Sequence, residues 1–168
     1  MTKSGCCWHQ YAEYKVKNNS PYPVRIVEEG LNASGLIWDC EEQTLVNGKM
    51  QTINYQILDQ ELAQKGLIMS FEFDNKKKMQ LFQNENRLFY VFSNSQEHVE
   101  LMQSENFNYS RANHSLSFTY KNTEYLISND LIIAKTPTKA YTMKVVNGSR
   151  KGSLQVLEKY KLQNVNFQ

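Results

Sequence analysis

Hydrophobic and polar residues alternate along most of this chain. The runs Tyr14–Lys17, Val24–Glu28, Thr52–Ile57, Leu67–Phe73, Met79–Gln83 and Arg87–Ser93 follow the pattern, and so do Leu116–Tyr120 and Glu124–Ser128. Leu131–Ala134, Tyr141–Val146 and Ser153–Tyr160 continue it to the end. A period of two puts successive side chains on opposite faces of a strand. The β-branched and aromatic residues that fill these runs suit a pleated, half-buried surface.

The turn signals agree. Asn47-Gly48 and Asn147-Gly148 supply the paired left-handed residues of a tight hairpin turn. Ser20-Pro21-Tyr22-Pro23, Asp74-Asn75, Asn84-Glu85-Asn86 and Asn129-Asp130 read as further turns. Helix is scarce. Asp59–Gly66 reads as one short helix, capped by Asp59 and ended by Gly66 in the left-handed conformation. Asn32–Gln43 holds at most one further helical turn, with Trp38 facing inward. Residues 93–105 fit two readings, a helix capped at Ser93 or a strand through Val99 and Leu101. The expected fold is all-β, an antiparallel β-sandwich or flattened barrel of about ten strands with one or two short helices. The expected organisation is an N-terminal segment, residues 1–13, followed by a single β domain, residues 14–168.

Composition narrows the function classes. The chain has 168 residues, 40% of them hydrophobic, and a formal net charge of +2. That excludes a histone-like or strongly acidic protein. With 2 Trp, 10 Tyr and 8 Phe it is too aromatic for a disordered chain. No apolar run is long enough to span a membrane as a helix. The 17 Asn and 13 Gln are scattered rather than clustered, so they do not form a sticky polar tract. Charge is uneven. Residues 131–168 carry Lys135, Lys139, Lys144, Arg150, Lys151, Lys159 and Lys161 against Glu158 alone. These cations are either solvated outer faces of strands or a basic face for another protein. No aromatic interleaving for base stacking accompanies them, so sequence-specific nucleic acid is not an expected partner. Lys76-Lys77-Lys78 reads as a solvated hairpin tip or an anionic contact point.

Candidate chemistry is thin. Cys6, Cys7 and His9 do not complete the four ligands of a structural zinc site. Cys40 lies among Asp39, Glu41 and Glu42, carboxylates that raise a thiol pKa and disfavour a nucleophile. Glu28-Glu29 and Glu41-Glu42 are adjacent in sequence, so each pair points to opposite faces of a strand. There is no phosphate loop and no nucleophile elbow. No cofactor is expected. A small hydrolase would need a pocket that brings His98 or His114 against a carboxylate.

Three cysteines leave one unpaired if a disulfide forms. Ser4-Gly5-Cys6 has the small-small-Cys ending of a bacterial lipoprotein signal, here without the apolar segment that precedes one. Lipid on Cys6 would leave Cys7 to pair with Cys40, and a Cys7–Cys40 disulfide is the expectation.

Ser4-Gly5-Cys6, Tyr14–Ser20, Pro23–Ile26, the Val46–Lys49 turn and Ser70–Lys76 together resemble small β-sandwich lipoproteins of bacterial cell envelopes, over the N-terminal half. The resemblance implies a mostly non-catalytic role, such as inhibitor, immunity protein or adhesin accessory. The expected function is non-enzymatic binding of another protein by an envelope-associated domain, periplasmic or at the outer membrane. Without the lipid anchor the expected compartment is the cytoplasm. The alternative is a structural interaction protein, such as a virion or assembly component, acting by strand addition to a neighbour.

Overall fold

A computed structural model describes residues 2–5, by backbone alone, and residues 7–168. The chain forms two compact units, Met1–Asp59 and Gln60–Gln168. The boundary expected after residue 13 is absent, because one strand runs straight through it, Trp8–Lys17.

The first unit is one antiparallel sheet in chain order: β1 (Thr2–Gly5), β2 (Trp8–Lys17), β3 (Ser20–Leu31), β4 (Ile37–Val46) and β5 (Lys49–Leu58). Left-handed residues make its tight turns, Asn18 and Asn19 between β2 and β3, Asn47 and Gly48 between β4 and β5. The turn expected at Ser20–Pro23 is instead the start of β3. Pro21 and Pro23 pair with Val16 and Tyr14 of β2. On its other side β3 meets β4 only from Arg25 onward. The prolines therefore sit where β3 is an edge, so their missing N–H breaks no ladder. The helical turn expected within Asn32–Gln43 is also absent. That stretch is a loop and β4, and Trp38 is half-buried, its Nε1 donating to Asp59 Oδ2 at 3.1 Å.

The second unit begins with α1 (Gln60–Lys65). One sheet has the order β15-β6-β7-β8-β9, from β6 (Leu67–Glu72), β7 (Lys78–Asn84), β8 (Arg87–Ser93), β9 (Val99–Gln103) and β15 (Lys151–Gly152). The other has the order β14-β13-β12-β11-β10-β16. Its strands are β10 (Phe107–Ser110), β11 (Ser115–Tyr120), β12 (Thr123–Ile127), β13 (Leu131–Lys135), β14 (Ala140–Lys144) and β16 (Val165–Phe167). No barrel closes. Met79, Leu81, Leu88 and Tyr90 from the first sheet share a core with Leu116, Phe118, Ile127 and Ile132 from the second. The Tyr90 and Phe118 rings meet across it at 4.8 Å. Burying one such aromatic side chain contributes about 2–3 kcal/mol.

The α1 helix lies against β7, with Gln60 and Gln80 exchanging amide hydrogen bonds at 3.0 and 3.3 Å. Gly66 ends the helix, but not in the left-handed conformation that was expected. A Cβ there would sit 1.8 Å from the Gln83 carbonyl oxygen, so close backbone approach is what requires glycine. Residues 93–105 resolve as a turn and β9. Ser153–Tyr160, expected as a strand, is mainly a 3-10 helix (Leu154–Lys159), because Leu154 and Leu157 are three apart and both buried. Asn147-Gly148 turns the chain between β14 and β15, which belong to different sheets, so it is no simple hairpin.

Candidate functional site

The first unit ends in an unprotected edge. β5 is ten residues long, Lys-Met-Gln-Thr-Ile-Asn-Tyr-Gln-Ile-Leu, with no proline. It pairs with β4 in unbroken register from Val46↔Lys49 to Ile37↔Leu58. The two-residue turn makes Val46 and Lys49 a hydrogen-bonded pair. At the other end the Asp59 N–H donates to the Leu36 carbonyl at 2.8 Å, in the same phase. Odd-numbered residues of β5 therefore bond to β4. The N–H and C=O of Met50, Thr52, Asn54 and Gln56 point outward, along an edge about 33 Å long. Residues Lys49–Asn54 are exposed, and Ile53 is 53% exposed.

Two cross-strand rows approach that edge on one face. Trp8, Gly30, Asp39 and Gln56 form the first, and Gln10, Glu28, Glu41 and Asn54 the second. Gly30 leaves a gap between Trp8 and Asp39, with nothing within 4 Å of where a Cβ would stand. The gap opens a groove of about 460 Å³, whose lining includes Trp8, Glu28, Asp39 and Glu41. Glu28 and Glu41 are direct cross-strand partners, and like charges placed so repel. Amides moderate this, Gln10 donating to Glu28 at 2.6 Å and Gln43 to Glu41 at 2.8 Å. Sequence separated Glu28 from Glu29, and Glu41 from Glu42, onto opposite faces. It held no signal that would set Glu28 against Glu41.

The opposite face carries an ion-pair network. Arg25 donates to both Glu42 oxygens, at 2.7 and 3.1 Å, and to Glu13 at 3.2 Å, joining β2, β3 and β4. The guanidinium holds the Glu42 carboxyl below the usual carboxylate range. Tyr55 donates to Glu42 at 3.2 Å, and burial pushes the Tyr55 phenol up to about 12.

Cys40 sits on this face as a buried free thiol, 3.6 Å from the Trp38 carbonyl oxygen. The expected Cys7–Cys40 disulfide is not formed. Cys7 accepts a hydrogen bond from Leu31 of β3, and β3 lies between it and β4. Two strand spacings are about 10 Å, beyond the ~7 Å that a disulfide spans. Burial, then Glu29, Asp39 and Glu42, push the thiol up to about 12. The cross-strand neighbour Glu29 thus replaces Glu41, which faces the other way. Cys6, the expected lipid site, lies outside the described residues.

The basic C-terminal residues are all exposed but dispersed. Lys135 and Lys139 flank the β13–β14 turn, and Lys144 lies at the far end of that hairpin beside Leu131. Arg150 is paired with Asp130 at 2.9 Å. Lys151 is on the edge of the other sheet, and Lys159 and Lys161 lie at and after the end of the 3-10 helix. At the β6–β7 turn, Lys77 pairs with Glu100 at 2.6 Å and Lys78 with Glu97 at 2.9 Å, which leaves Lys76 as the exposed cation of the cluster.

The His9 ring lies tilted against Trp38, centroids 5.0 Å apart, and the His98 backbone N–H donates to Asn94. His114 does reach a carboxylate: its Nδ1 lies 3.5 Å from Glu158 Oε1, and Tyr109 touches both. The Tyr109 hydroxyl donates to Glu158 at 2.9 Å and lies 3.2 Å from His114 Nδ1. Burial and that carboxylate push the Tyr109 phenol up to about 12, so it stays a donor. The hollow beside Glu158 is walled by Arg111, Tyr160 and Phe167 among others, and His114 does not line it. Among the described residues no group of three or more His, Cys, Asp or Glu is placed to hold a metal ion. No described helix is long and apolar enough to cross a membrane. No family model, curated protein or solved structure matches the chain.

Proposed function

We propose that this chain is a non-catalytic protein-binding module that takes an extended segment of another protein as a further strand along β5. The observation that carries the reading is the β5 edge itself. It is ten residues long, exposed over most of its length and in unbroken register with β4. It also lacks the proline, bulge or inward charge with which proteins blunt such edges. Main-chain hydrogen bonds to Met50, Thr52, Asn54 and Gln56 give the affinity. Asp39 and Glu41 of β4, the acids nearest that edge, give the preference, for a segment with Lys or Arg at alternate positions. An inhibitor or immunity role at a bacterial envelope is the setting we propose, supported by the Ser4-Gly5-Cys6 pattern.

Affinity capture with the full chain and with Asn54→Pro tests this. Proline at an outward position removes one edge donor and leaves the β4 ladder intact. A partner retained by the wild type and lost by Asn54→Pro, with unchanged circular dichroism, is expected. A partner held equally by both overturns edge addition. Light scattering should show a monomer; a dimer abolished by Asn54→Pro would instead assign the edge to self-assembly.

A further inference from the structure

We propose that a cavity between the two sheets of the second unit binds a ring-containing, apolar, anionic small molecule that carries an oxygen at its buried end. The cavity holds about 760 Å³, within the range of small-molecule sites. Ala134 explains why it exists. This residue faces the core from β13, in register between Tyr125 of β12 and Tyr141 of β14. A methyl group between two tyrosines leaves a hollow that a larger side chain would fill. Tyr90, Phe92, Tyr120, Tyr125 and Tyr141 contribute to its walls, so flat rings gain more there than a flexible acyl chain would.

Two polar groups orient the occupant. Tyr90 is 0% exposed, and its hydroxyl is the one buried side-chain polar atom without a hydrogen-bond partner among the described residues. Such a group is costly to leave unsatisfied. The hydroxyl lies out of reach of water, so an entering molecule meets it only when a wall ring swings aside. Tyr120 and Tyr125 are partly exposed and Tyr141 is 54% exposed, which leaves room for that motion. Lys121 is the second group, an exposed lining residue whose ammonium lies over the Tyr120 ring at 5.4 Å. It makes no salt bridge among the described residues. The acid that shares the lining, Glu100, is already paired with Lys77 at 2.6 Å. The net attraction at the mouth is therefore for an anion.

Calorimetric titration of the full chain with naphthalene sulfonate, with its ring-hydroxylated analogue and with decanoate tests the assignment. Both naphthalenes should saturate one site, the hydroxylated one about tenfold tighter, the worth of one hydrogen bond. Tyr90→Phe should erase that preference, Lys121→Gln should weaken both several-fold, and Ala134→Phe should abolish both. If Ala134→Phe does not fold, Tyr90→Phe decides alone, since it changes no volume. Absence of saturable binding, a hydroxyl preference that survives Tyr90→Phe, or tighter binding of decanoate than of either naphthalene would overturn the proposal.

Discussion

The first unit leaves Tyr14 50%, Ile53 53% and Val16 71% exposed, while the second places Tyr90, Phe107 and Phe118 at 2% or less. Strands of both alternate in the same way. The difference lies in what covers them. In the second unit each sheet presents its apolar face to the other, and the core is shared. In the first unit only Val27, Leu36, Ile37, Cys40 and Leu58 are buried among the described residues. Ladder hydrogen bonds and polar cross-strand rows dominate there instead. One unit is thus held by burial, whereas the other keeps backbone and side chains available for contact.

Truncating the sandwich should therefore cost most. Phe118→Ala should lose about 3–5 kcal/mol in denaturant unfolding, because Phe118 packs on Tyr90, Phe107 and Tyr125. Ile53→Ala in the first unit should change stability by under about 0.5 kcal/mol. Equal losses would erase the contrast between the units.

Next in size is Asn164, which is buried and tied by its amide to both the N–H and C=O of Leu88 and to the Ser104 carbonyl, at 2.7–2.8 Å. Asn164→Leu leaves those groups unmatched and should cost about 2–4 kcal/mol.

The first unit should respond instead to charge. Glu42 has a depressed carboxyl pKa in the fold, chiefly through its hydrogen bond to Arg25. Its stabilisation is fully present above the unfolded carboxylate pKa and is lost as pH falls through the lower folded value. Glu42→Gln should remove about 1 kcal/mol near neutrality, and with it that acid-side dependence. The figure is small because the Arg25 side chain is 41% exposed and water screens the pair. Local hydrogen exchange in β3 and β4 is the readout.

One effect is a gain. Without ligand, Tyr90→Phe should stabilise the second unit by about 1 kcal/mol, since it deletes an unsatisfied hydroxyl.

What could be read from sequence follows from how local the cause is. Asn47-Gly48 makes its own turn, and the expected hairpin is there. The Glu85-Asn86 turn and the short helix before Gly66 are equally local. Pro21 and Pro23 misled because proline marks a turn only when the strand has neighbours on both sides. Here β4 stops pairing before it reaches them. The 3-10 helix hid in an apparent alternation because Leu154 and Val156 are two apart, as in a strand, while the buried pair Leu154 and Leu157 is three apart. The site was largely illegible. Glu28 against Glu41, the gap at Gly30 and the open side of β5 all depend on register and sheet order, which are non-local. The basic residues were visible but not their dispersal. Cys7 and Cys40 looked pairable only while the intervening β3 was unknown.

Amide hydrogen exchange along β5 in the full chain tests the central claim most directly. The outward amides of Thr52 and Asn54 should exchange far faster than the inward amides of Gln51 and Ile53, and should slow when the captured partner is added. Protection of Thr52 and Asn54 equal to that of their neighbours, in the protein alone at low concentration, would mean the edge is already covered and would contradict it.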